Sequence, residues 1–162
     1  PQGLLILIHA QYSSDQHAFY FGDQEESGLA VRIASPLRVQ GGEGTIVNSH
    51  GHLNGAEVWG KEAEWFDYHG TIEGRQVGVM VVPGTQNRRD SWLHARDYGV
   101  VVTNPFPKQP RERREPFIKT PVAKNESFKL SYGVVIHELP EGQPLDRKKI
   151  HQHVLARLNQ GL

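Results

Sequence analysis

The chain has 162 residues, the size of one ordinary domain, and its 37% hydrophobic content permits a real core. Its 18 Lys and Arg balance 18 Asp and Glu, so it lacks the basic excess on which nucleic-acid binding relies. It has no cysteine, which excludes disulfides, thiolate metal sites and a cysteine nucleophile; 17 Gly and ten Pro suit a turn-rich sheet protein rather than a helical bundle.

Strand signals dominate from the start. "LLILIH" (4–9) is the first, and its apolar run is far shorter than the roughly 20 residues a membrane span needs. No basic stretch precedes it, so a signal peptide is unsupported and the compartment stays open. The abrupt start suits a free-standing domain or a piece of a longer polypeptide. "HAFYFGD" (17–23) is the second strand. "GLAVRIASPLRV" (28–39) alternates, with Leu29, Val31, Ile33 and Leu37 on one parity, and Pro36 ends or bulges it. A short strand at 45–51 runs into the loop "NSHGHLNG" (48–55). The segments 63–72 and 76–84 flank "EGR", a hairpin signal in which Gly74 takes positive φ. "WLHARDYGVVVTN" (92–104) reads as the next strand. The loop "PFPKQPRERREPF" (105–117) follows, and then the last strand (128–139). From about 145 to 160 the period changes: Ile150, Val154, Leu155 and Leu158 form one helical stripe, with Gly161 as a cap. Few helices separate the strands, so the predicted fold is an all-β antiparallel sandwich with one C-terminal helix, in a single domain or half-domain.

The two-residue strand period places candidate chemistry. Trp92, His94, Arg96 and Tyr98 fall on one face of their strand, and Trp65, Asp67 and His69 share one face of another. If the two strands are neighbours, they form a concave polar face. Carbohydrate fits it, because an indole covers the C–H face of a sugar while Asp, Arg, Asn and His satisfy its hydroxyls. The same pattern also fits a solvated sheet face with aromatic edges. Glu25, Glu26 and Arg32 form either the acidic edge of this cleft or an ordinary ion-paired surface. Glu57 and Trp59 lie close to the loop that carries His50 and His52. His50 and His52 have no third metal ligand, and His151 and His153 point to different helix faces. No metal or cofactor site is therefore expected. The charged "RERR" (111–114) suits solvation or an acidic partner.

Together "FGDQEESGLAVRIASPLRV", "GTIVNSHGHLNGAEVWGKEAEWFDYHG", "VGVMVVPG", "SWLHARDYGVVVTNPF" and "ESFKLSYGVVIHE" resemble the C-terminal part of the bacterial DUF6807 family, labelled "methane oxygenase PmoA". Nothing in the chain supports that label: it has no cysteine, no membrane span and no copper or di-iron ligand set. The resemblance implies a supersandwich akin to galactose mutarotases. Glu26, Arg32, Asp67, His94, Arg96, Asp97, Tyr98 and Asn104 match its motif positions, whereas His50 and His69 depart from them. Family domains are nearly twice this long, so a homo-oligomer or a separate N-terminal half is the expected partner.

The expected function is saccharide binding or acid–base chemistry on a sugar. His94 would carry the proton, Asp67 would orient it or act as its acid–base partner, and Trp65 or Trp92 would form the platform. Arg96, Tyr98, Asn104, Glu26 and Arg32 would contact the ligand. The alternative is a non-catalytic assembly subunit. Whether the chain is an enzyme stays open at this point.

Overall fold

The computed structural model describes residues 2–87, 90–107 and 118–160. In chain order the strands are β1 (Gln2–Ser13), β2 (Phe19–Phe21), β3 (Leu29–Arg32), β4 (Thr45–Asn48), β5 (Phe66–Ile72), β6 (Arg75–Pro83), β7 (Trp92–Arg96), β8 (Val100–Asn104), β9 (Thr120–Val122) and β10 (Ser127–Pro140). A 3-10 turn (Ser35–Leu37) and a short helix α1 (Asn54–Val58) interrupt them, and a longer helix α2 (Arg147–Gln160) follows. The strands form a five-stranded sheet in the order β1-β10-β6-β5-β4, a three-stranded sheet β3-β8-β7 and a ribbon β2-β9. Every pairing among them is antiparallel.

Local chemistry explains the main boundaries. The β5–β6 hairpin turns at Glu73 and Gly74, both at positive φ (50° and 69°), the handedness that matches strand twist. Asp146 caps α2, its Oδ1 accepting the Lys149 amide at 3.0 Å. Ile150, Val154 and Leu158, spaced by four, form the buried stripe of that helix.

Strand alternation sorts the side chains into layers. On one face of the five-stranded sheet, Ile46, Phe66, Tyr68 and Val81 pack with Leu93, Ala95 and Val101 of the three-stranded sheet. On the other face, Met80, Val82 and Val135 pack beneath Ile150, Val154 and Leu158 of α2. A third cluster joins Phe106, Leu130 and Tyr132 to Phe21 and Phe128. Each such side chain contributes about 1.5–3 kcal/mol when fully buried, so these layers outweigh any single polar contact in holding the sheets in place.

The molecule is sheet-rich with one substantial C-terminal helix, as expected, but several elements differ from the sequence reading. Residues 92–104 form a hairpin rather than one strand, because Asp97, Tyr98 and Gly99 turn the chain, with Gly99 at φ 106°. The predicted strand 28–39 stops at Arg32, and Pro36, which cannot donate to a ladder, sits in the 3-10 turn. The loop after β4 contains α1, and a short strand β9 forms at Thr120–Val122; most of the proline-rich stretch 105–117 lies outside the described residues. The strands assigned to 63–72 and 92–104 belong to different sheets. Only the lead-in pairs: Lys61 accepts the Leu93 amide at 2.9 Å and Ser91 accepts the Ala63 amide at 3.1 Å. Arg111, Arg113, Arg114 and the Gly161 cap lie outside the described residues.

Candidate functional site

Antiparallel register sets which side chains share a face. Arg32, Val100 and Arg96 form one cross-strand row of the three-stranded sheet; Ala30, Val102 and His94 form the next. Val31, Val101 and Ala95 alternate to the core side, so His94, Arg96 and Arg32 project from the outer face. The loop before β3 crosses this face. Glu25 Oε2 lies 3.6 Å from His94 Nδ1, and Glu26 Oε1 lies 3.5 Å from Nε2. Arg96 Nη2 reaches Glu25 Oε2 at 3.5 Å, and its guanidinium carbon lies 5.8 Å from the Trp59 ring centre. Trp59 in turn meets Trp92 edge-on at 6.2 Å.

The His94 side chain is buried, yet neither ring nitrogen has a hydrogen-bond partner. Burial and then the nearby Arg96 charge push its pKa below the ordinary histidine value; Glu26 and Glu25 oppose this without overcoming it. At neutral pH the ring is therefore a neutral imidazole, with one donor and one acceptor nitrogen. An unsatisfied buried imidazole flanked by two carboxylates and an arginine has the parts of a proton-transfer or polar-ligand site.

A second polar cluster lies beneath α2. Asp67 is fully buried, and its oxygens accept hydrogen bonds from His137 Nε2 and Arg147 Nε, both at 2.7 Å. His69 Nδ1 lies 3.3 Å from the same carboxylate. Burial alone would raise the Asp67 pKa, but hydrogen bonds and charge from His137 and His69 outweigh it and hold the carboxyl well below the usual range. The His137 bond crosses β6 above Gly78, where a Cβ would fall 2.6 Å from His137 Cε1 and 2.7 Å from His69 Cβ. A glycine is required there for the imidazole to reach Asp67.

The structure thus separates residues that the sequence reading had joined. Asp67 and His69 point away from the layer that Phe66 and Tyr68 share with Leu93 and Ala95, whereas His94 projects from the far side of that layer. Asp67 is not the partner of His94. Trp65 packs with the cluster under α2, so it offers no platform to His94. Trp92 is on the predicted face but buried, its indole N–H donating to the Phe106 carbonyl at 3.0 Å. Asn104 is also internal, its Nδ2 donating to the Gln24 carbonyl at 2.6 Å and to the Glu25 carbonyl at 3.2 Å; it holds the glutamate loop rather than contacting a ligand. Tyr98 is exposed in the β7–β8 turn, off the strand face.

His94, Arg96, Arg32 and Glu26 do share the outer face, joined by Glu25 and Trp59. Sequence reasoning missed His137 and Arg147 as partners of Asp67. Their signal was Gly78, a lone glycine inside an apolar strand, which marks close approach by a neighbour. Among the described residues, no group of three His, Asp or Glu side chains is arranged to hold a metal ion. No helix among them is long and apolar enough to cross a membrane. A cleft of about 780 Å³ lies elsewhere, lined by His9, Gln11, Asn87, Lys129, Ser131 and Asn159 among others, with no carboxylate among its described lining residues to complete an acid–base pair.

Comparison with known families matches a model described as a family of unknown function (DUF6807), which covers residues 2–154. No curated protein and no solved structure matches the chain.

Proposed function

Since the chain belongs to the DUF6807 family, whose function is unknown, we propose from its own residues that it binds a saccharide on the outer face of the three-stranded sheet. The observation that carries this reading is His94, buried with both ring nitrogens unpartnered and a carboxylate oxygen just beyond hydrogen-bond reach of each, at 3.6 Å and 3.5 Å. Sugar hydroxyls both donate and accept. They would donate to Glu25 and Glu26, accept from Arg96 and Arg32, and pack C–H groups near Trp59. In this reading the sheets belong to a galactose mutarotase-like supersandwich, and any chemistry is acid–base chemistry on the sugar. Glu26 then takes the role expected of Asp67, as the proton partner of His94.

Calorimetric titration of a broad glycan panel tests this. Arg96→Ala should weaken binding by about 1.5–3 kcal/mol through loss of charge-assisted bonds. Where turnover accompanies binding, His94→Gln should lower it roughly 100-fold while leaving affinity nearly unchanged. No binding across the panel by the intact protein rejects the site.

A second reading, an assembly subunit, is favoured by a different observation. Leu4, Ile6 and Ile136 are 57%, 41% and 45% exposed on adjacent strands at the β1 edge of the five-stranded sheet. A homo-oligomer or a further polypeptide covering that edge is the proposed partner.

A further inference from the structure

The loop that carries Glu25 and Glu26 is pinned on both sides of their side chains. Asn104 holds the carbonyls of Gln24 and Glu25. At the other end Gly28, at φ 113°, lies so close to β8 that a Cβ would fall 2.0 Å from the Thr103 carbonyl oxygen. The two carboxylates themselves are less confined: the Glu25 side chain is 34% exposed and that of Glu26 68%. Below them sits the His94 ring, with one glutamate at each nitrogen.

Imidazole chemistry makes this arrangement depend on one proton. A neutral ring carries a single N–H, so in either tautomer one glutamate faces a lone pair and is repelled. An imidazolium carries two N–H groups and donates to both. The glutamates are unequal, because Glu25 is also paired with Arg96 at 3.5 Å, whereas the ion pair described for Glu26 is the one with His94. The neutral ring therefore keeps Glu25 and loses Glu26.

We propose that residues 23–28 form a proton-controlled clasp on this face. Neutral His94 donates from Nδ1 to Glu25 and releases Glu26, which leaves the Nε2 lone pair open to a ligand hydroxyl. Protonated His94 holds both glutamates and closes the face. Among the described residues, the charged groups around the ring are Glu25 and Glu26 from the loop, Arg96 from its own strand and Arg32 from β3 on the same face. Burial and Arg96 favour the neutral form, so the open state prevails at neutral pH and the clasp closes as pH falls through the lowered His94 value.

The occupant of the open state rests on the saccharide reading, but the clasp is measurable without any ligand. On the intact chain, hydrogen exchange at the amides of residues 24–27, corrected for the intrinsic pH dependence, is followed from about pH 8 to about pH 4.5 beside the His94 imidazole nitrogen signals. Protection should rise about tenfold over the interval in which His94 titrates, the gain from one added charge-assisted hydrogen bond. Glu26→Gln is the discriminating variant, because a carboxamide can donate to the Nε2 lone pair; its loop should stay protected at both ends of the range. Protection that stays flat through the His94 titration, or a Glu26→Gln loop that follows wild type, overturns the clasp. Glycan titration at neutral and acid pH gives the separate readout. No binding at either pH beside an intact exchange profile removes the saccharide reading and leaves the clasp standing. Equal binding at both pH values overturns its role as a gate.

Discussion

Asp67 shows how much one buried carboxylate organises. It bridges β5, β10 and α2 by accepting from His137 and Arg147, and no water-facing oxygen remains to soften a loss. Asp67→Asn removes the charge and turns an N–H donor toward at least one of those donors, so it should cost about 3–5 kcal/mol at neutral pH. The pH dependence follows from the lowered carboxyl pKa. Asp67 contributes its full stabilisation above the unfolded value, near pH 4, and loses it as pH falls toward the folded value. Urea unfolding of wild type and variant should therefore differ most at pH 5 and above and converge in stronger acid. A gap that stays constant down to about pH 2 would mean the charge of Asp67 contributes little. The parity of Asp67 and of His94 was legible in the sequence, since a strand alternates strictly. Which strands lie side by side was not, because alternation defines a face without saying what that face meets. Asp67 and His94 ended on opposite sides of one hydrophobic layer for that reason.

At the scale of elements, two glycines make room on the α2 face of the five-stranded sheet. Gly133 of β10 admits Val154, whose Cγ1 would lie 2.1 Å from an added Cβ, and Gly78 of β6 admits the His137 ring. Gly133→Ala should lift the helix locally and raise hydrogen exchange across residues 147–160 at least tenfold, with β7 and β8 unaffected. Gly78→Ala should instead displace the imidazole and cost about 1–3 kcal/mol, as overpacking in a tight interior does. In the Gly78→Ala, Asp67→Asn double variant the costs should be strongly non-additive, because both changes break the same hydrogen bond. Full additivity would separate the glycine from the cluster. The helix itself was readable from its period, as were the β5–β6 hairpin and the long last strand. The β7–β8 hairpin was not, although "DYG" carries turn residues. The apolar run "VVV" after it continues the strand pattern so closely that the turn was absorbed. Short elements such as α1 and β9 have too few residues for any period to register.

For the whole molecule, the unresolved balance is between its covered and uncovered sheet faces. The three-stranded sheet covers β4, β5 and much of β6, while Leu4, Ile6 and Ile136 remain open at the β1 end. Twelve residues of β1 run in register with β10, and its outward edge carries no Lys, Arg, Asp, Glu or Pro, the residues that usually deter edge pairing. Sedimentation velocity should show mass rising above the monomer at micromolar concentrations, and Ile6→Lys should return it to the monomer value without loss of secondary structure. A wild-type chain that stays monomeric throughout removes the homo-oligomer and leaves a further polypeptide as the partner for that edge. Expectations at this scale came from composition and resemblance, since alternation reports where a strand can bury a face and not whether a partner does so. The Asp67–His137 hydrogen bond has a mechanical consequence as well. It runs across the strands, from β5 over Gly78 to β10, and so acts as a cross-tie alongside the backbone ladders that spans two of them at once. Tension that slides β10 along β5 must break this tie together with the β10–β6 or the β6–β5 ladder, so the centre of the sheet should resist until both fail in one step.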